Sequence, residues 1–221
     1  MKEKNKVSLI DGSRSPNKTI WSLSWPVILD QSFNTLIQYV DTAMVGSLGA
    51  IATAAVAVNA STIWLVNGVM YSFGAAYAVL IARYIGANQK ENIKKSLHQA
   101  FLAIILLSTI TTLVMAVVSK HLPIWLGVEQ QVVQDAIGYL SIISLSYPFL
   151  ITFVFLSNII RSSGDTKTPL ISNIVTNAFN IVGNFLLIFP TRTIEVFGRD
   201  FTMYGADLGV KGAAIATLIS H

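Results

Sequence analysis

Apolar runs alternate along the chain with short polar breaks, and the runs are longer than the helices of a soluble domain require. Five of them, about 21–46, 54–85, 97–119, 136–160 and 169–190, each supply the roughly 20 helical residues that cross a bilayer core. A sixth begins near Gly212 and reaches only His221. The breaks carry helix punctuation: "SLGAIAT" after the first run, "YIGANQKENIKKS" after the second, and "SSGDTKTP" before the fifth, where Pro169 suits the first turn of a helix. Lys90, Lys94 and Lys95 predict a short interfacial helix ahead of the third span. Nothing in the pattern reads as β-strand, and the longest break, "PTRTIEVFGRDFTMYGADLGVKG", is expected to be a polar external connection. The predicted fold is an all-α polytopic membrane protein. It has a tail over 1–20 and a membrane lobe over 21–221 that is incomplete in its sixth helix. Since transporters are often built from two repeats with the substrate site between them, such a lobe is expected to be half of a longer machine.

Two runs are not uniformly apolar. Asp30, Asn34, Gln38 and Asp41 are spaced 4, 4 and 3 residues apart in the first, which puts them within about 80° of one another on a helical wheel. Asn173, Asn177, Asn180 and Asn184 in the fifth fall within about 60°. Facing lipid, each of these groups would lack a partner and cost several kcal/mol. They must face protein or a water-filled cavity, and Asn34, Gln38 and Asn177 are the candidates to line it. For the outer members, Asn34 and Asn173, hydrogen bonding between helices at ~0.6 kcal/mol each is explanation enough. Asp41 is different. A carboxylate deep in a span costs roughly 2.5–3.5 kcal/mol on insertion scales, and no Lys or Arg occurs between Lys18 and Arg83, which stands at the very end of the second run and is the one such residue in the five. A bound proton or a bound cation has to settle its charge, and either makes it a coupling residue. Asp30, about three turns nearer the cytoplasmic face, reads as hydrated.

A carboxylate among asparagine carbonyls is a hard, oxygen-only ligand set, suited to Na⁺ or a proton and not to a transition metal. Pro26 and Pro148 fall inside the first and fourth helices, where each removes a backbone bond and is a candidate kink or hinge. Gly68, Gly74, Ala75, Ala76 and Ala78 give the second helix a surface that neighbours can approach closely.

Composition agrees with the pattern. With 53% hydrophobic and 12% charged residues, the chain has too little polar surface to wet a globule of its size. Its net charge of +4 is laid out by topology. The segments 1–20, 83–96 and 161–168 carry +3, +3 and +1, and the connections between them, 47–53, 119–135 and 191–211, carry 0, −1 and 0. Positive loops stay inside, so the N-terminus is expected in the cytoplasm of a cell-membrane protein, and a nucleic-acid partner is excluded. There are no cysteines, hence no disulfide or thiolate site. The three histidines have no metal-ligand spacing and no nucleophile–base arrangement lies in the spans, so neither an enzyme nor a cofactor is expected.

Three stretches resemble the multidrug and toxic compound extrusion (MATE) family, N-terminal lobe. "LSWPVILDQSFNTLIQYVDTAMVGSLG" is similar to its first helix, "IIRSSGDTKTPLISNIVTNAFNIVGNFLLIF" to its fourth-to-fifth connection and fifth helix, and "ADLGVKGAAIATLIS" to the start of its sixth. The resemblance implies a twelve-helix exporter of two six-helix lobes that moves cationic or amphipathic compounds outward in exchange for H⁺ or Na⁺. It also implies a cation site at Asp41, Asn180 and Asn184. Some members carry Asp where this chain has Asn184, which leaves one carboxylate fewer here. The expected partners are small drug-like molecules, the lipid bilayer and a second six-helix lobe. A lipid-linked precursor flippase of the same superfamily would line its cavity with several cationic side chains, and the interiors of the five runs contain none, Arg83 standing at the end of the second. A non-transporting membrane scaffold would gain nothing from Asp41.

Overall fold

The computed structural model describes residues 15–196 and 199–221, so most of the predicted tail, 1–14, lies outside the described residues. Six helices follow in order: α1 (Pro16–Gly46), α2 (Ala50–Gly86), α3 (Lys90–Trp125), α4 (Gln130–Ser162), α5 (Lys167–Leu187) and α6 (Gly209–Ser220). Their ends sit where the sequence changes chemistry. Pro16 opens α1 at its first turn, where a missing N–H is harmless. Gly49, at φ +109°, makes the reversal into α2. Four helices, α2 to α5, are long and apolar enough to cross a membrane. α1 is comparably long at 31 residues, with its polar stripe lowering its hydropathy.

Two expectations are corrected. Lys90, Lys94 and Lys95 do not form a separate interfacial helix, because α3 runs unbroken from Lys90 to Trp125. Glu91 in its first turn complements the helix dipole, and the long lysine stems let a continuous helix pass through the interface. The connection after α5 is not irregular either. It folds back as an antiparallel hairpin, β1 (Pro190–Val196) on β2 (Arg199–Ala206), with Arg192 opposite Met203 and Thr193 opposite Thr202. Alternation of β-branched and aromatic with polar residues in "TRTIEV" and "DFTMY" is the period-2 pattern of strands. Thr191 closes its base, its hydroxyl donating to Gly205 O (3.2 Å) and accepting from Gly205 N–H (3.1 Å).

The lobe is built around α4, whose Leu140, Tyr147, Ile151 and Phe155 are fully buried against Met70 of α2 and Ile104 and Met115 of α3. A second apolar cluster, at the hairpin end, joins Met44 and Val45 of α1 to Ala55, Ala136, Ile188 and Val210. Asn59 is wholly buried and ties α2 to α4, its amide donating to Ala55 O and Ala136 O at 2.9 Å each. Leu65, Val79, Leu106, Leu113 and Val117 point outward, the surface a lipid phase requires. α5 and α6 are seated more tightly than side-chain packing alone allows. The N–H groups of Asp207, Leu208 and Gly209 bond back to Phe189 O, Leu187 O and Ile188 O. At Gly212, an added methyl would lie 2.6 Å from Leu187 C and 2.9 Å from Ile188 N. The hairpin and the two helices around it therefore form one joined unit. α1 packs mainly on α5, which leaves a cleft between it and α2 and α4. Pro26 and Pro148 lie inside α1 and α4 as expected, and Pro123 lies inside α3.

Candidate ion and substrate site

The stripes of α1 and α5 face each other, and they meet as two separate polar clusters. Toward the hairpin end, Asn184 Nδ2 donates to Asp41 Oδ1 at 2.7 Å and to Asn180 Oδ1 at 3.1 Å. Asn180 Nδ2 reaches Thr217 Oγ1 of α6 at 3.3 Å, and that hydroxyl donates to Ala213 O. Asn180 and Asn184 are buried and Asp41 is half-buried. The remaining oxygen of Asn184, Oδ1, is buried without a hydrogen-bond partner. An unsatisfied amide oxygen beside a carboxylate is what a hard cation or a proton donor would complete, so the residues present fit Na⁺ or H⁺. Thr217 was missed from sequence. It is the one hydroxyl in the stretch "GAAIATLI" of α6, and only the tight α5–α6 seam brings it to Asn180.

At the other end, Asp30 corrects the sequence reading. It is 3% exposed, not hydrated, and forms an ion pair with Arg161 of α4. Arg161 had been counted to the connection after α4, but the helix continues to Ser162 and carries the guanidinium into the lobe. The expectation that no cation lies in the spans is overturned with it. This lobe does place a cation on its cleft wall, though one already paired to a carboxylate. Asn173 Nδ2 donates to Asp30 Oδ1 (2.6 Å) and Asn34 Oδ1 (2.9 Å), and Asn177 Nδ2 to Asn34 Oδ1 and Asn173 Oδ1, both at 3.2 Å. Asn34 and Asn173 thus hold α1 to α5 as interhelical hydrogen bonds.

Between the clusters lies a cleft of about 600 Å³. Asp30, Asn34, Gln38, Asp41, Asn177 and Arg161 are on its polar wall, and Trp64, Tyr71 and Phe153 are on the side of α2 and α4. Asn180 and Asn184 are not on that wall, so of the three predicted coupling residues only Asp41 is reachable from the cleft. In the turn before α5, Asp165 accepts from the Thr168 hydroxyl (2.6 Å) and from the N–H groups of Thr168 and Lys167. These bonds, that of the Thr168 hydroxyl first, hold its carboxyl below the usual range.

Six helices around a polar seam, with an apolar outer surface and a cleft that opens beside a carboxylate, define one lobe of a helical membrane transporter. The chain belongs to the MATE family: the MatE family profile matches residues 26–186, and the match is to the N-terminal lobe. It is 30% identical over 209 residues to the probable multidrug resistance protein NorM of Thermotoga maritima, covering 92% of this chain and 42% of that protein. It is 26% identical over 202 residues to the multidrug resistance protein NorM of Vibrio cholerae, covering 90% and 41%. A solved structure described as the outward-facing conformation of a multidrug resistance MATE family transporter superposes with a TM-score of 0.82 at 27% identity, covering 100% of this chain and 45% of that one. The chain therefore spans less than half the length of the relatives it matches.

Proposed function

We propose that this lobe works with a second six-helix lobe as a multidrug exporter, moving cationic or amphipathic compounds out of the cell in exchange for Na⁺ or H⁺. The observation that carries the reading is Asp41. Its carboxylate is open to the cleft on one side and bonded to Asn184 on the other, next to an amide oxygen that has no partner. An ion entering there neutralises Asp41 and completes Asn184 Oδ1 in one step, which favours the arrangement with α1 drawn onto α5. Departure of the ion restores a charge that the lobe can relieve by opening. Substrate occupies the cleft between the polar wall and Trp64, Tyr71 and Phe153. The names carried by the NorM relatives support multidrug export as the activity.

Two expected results follow. Asn184→Asp adds a second carboxylate to the same pocket and is expected to tighten binding of the coupling ion by about tenfold, equivalent to ~1.4 kcal/mol. Isothermal titration with Na⁺ at fixed pH, repeated across pH, reads this, and unchanged affinity for both ions would remove Asn184 from the site. For topology, reporter fusions after Lys94 and after Lys167 are expected to read cytoplasmic and a fusion after Arg199 external. A cytoplasmic signal at Arg199 would overturn the orientation.

A further inference from the structure

The ion pair at the end of the cleft away from Asp41 is incompletely satisfied. Asp30 is buried on the cleft wall, with one oxygen taken by Asn173 and the other by Arg161. Arg161 reaches it through one terminal nitrogen, not through the two-pronged fork that a guanidinium offers a carboxylate. Its Nε–H is buried without any acceptor. The guanidinium is thus desolvated and incompletely satisfied. On the same cleft, Trp64, Tyr71 and Phe153 supply flat aromatic faces, which attract planar cations. Resting on the export reading above, we infer that Asp30 is a cation subsite for substrates bearing amidinium, guanidinium or protonated amine groups, and that Arg161 is its built-in competitor. A substrate with two N–H donors can give Asp30 the bidentate contact that Arg161 does not. Displaced, Arg161 frees α4 from α1. Asp30 and Asp41 lie eleven residues apart on one helix face, about 16 Å along the axis. Substrate and coupling ion would then use different carboxylates at opposite ends of one cleft.

The test compares two cations of different donor chemistry bound to the protein in nanodiscs. The bis-amidinium dye DAPI can donate to Asp30, and tetraphenylphosphonium has charge but no N–H. Asp30→Asn is expected to weaken DAPI about tenfold, and Arg161→Gln to tighten it by a similar factor, with tetraphenylphosphonium nearly unmoved in both. The double variant is expected to behave as Asp30→Asn alone, because the competitor matters only while the carboxylate is present. Arg161→Lys, which keeps the charge, is expected to lie between wild type and Arg161→Gln and serves if the glutamine variant does not fold. If both single variants lower the melting temperature and leave the ratio of the two affinities unchanged, the pair is only a strut and the inference fails. Failure of the wild type to bind either cation would instead overturn the export reading itself.

Discussion

Asp41→Asn is expected to leave the protein folded and to reduce ion-driven efflux to the passive leak. Asparagine is nearly isosteric with aspartate and can still pair with Asn184 after an amide rotation, so the contact between α1 and α5 survives. Replacing a half-buried carboxylate by a neutral amide also removes a desolvation penalty, which makes the variant as stable as the wild type or slightly more so. What disappears is the only group of this cluster that can change charge. Asn180, Asn184 and Thr217 offer oxygens to an ion, but none of them binds or releases a proton near neutral pH, and without the carboxylate a Na⁺ would enter the pocket with its charge uncompensated. Drug efflux from proteoliposomes under imposed pH and Na⁺ gradients measures the loss, with thermal melting as the control for folding. Transport at the wild-type rate under both gradients would make Asp41 a structural hydrogen-bond acceptor and no more.

Gly212→Ala is expected to be the most damaging added methyl among the helical glycines. The added carbon would fall against the backbone of Leu187 and Ile188, and backbone at the end of a helix cannot step aside as a side chain does. Overpacking costs typically 1–3 kcal/mol, and the upper end, about 3 kcal/mol, applies where the opposing atoms are main chain. The damage would also reach the proposed ion site, because α6 holds Thr217 against Asn180 only while it lies close along α5. Gly68→Ala is the matched control: nothing lies within 4 Å of the added carbon there, and alanine is the better helix former by about 1 kcal/mol. Melting temperatures of the two variants in the same detergent decide the matter. Equal values would mean that the α5–α6 seam tolerates separation.

Much of this was legible in the sequence, for a physical reason. In lipid, a polar side chain on an apolar helix has nowhere to go but inward, so the stripes of α1 and α5 announced their own facing surfaces, and Asp41 and Asn184 duly meet. What could not be read was anything that depends on the third dimension of a chain segment already assigned elsewhere. Arg161 looked like loop charge because one more helical turn decides whether a guanidinium points to water or into the lobe. Asp30 looked hydrated for the same reason, its partner being 131 residues away. Thr217 is a single hydroxyl among small residues, meaningful only because Gly212 lets α6 touch α5. The hairpin was misread because its charged residues suggested an irregular polar loop, although the alternation of β-branched and aromatic side chains was present to be counted.

The attachment of α1 has a thermal consequence. In the apolar cores it contributes Met44 and Val45 near its last turn, Pro26 is buried nearer its start, and its side-chain bonds to α4 and α5 are made by amide, carboxylate and guanidinium groups. Swinging such a helix trades one set of hydrogen bonds for another and uncovers little hydrocarbon. The heat capacity of a conformational change follows the apolar area it exposes, so a swing of α1 in the proposed cycle is expected to change it little. An equilibrium with little heat-capacity curvature drifts smoothly with temperature instead of passing through an optimum, and an exporter of the proposed kind hinged this way would keep its balance of states from a cold medium to a warm one.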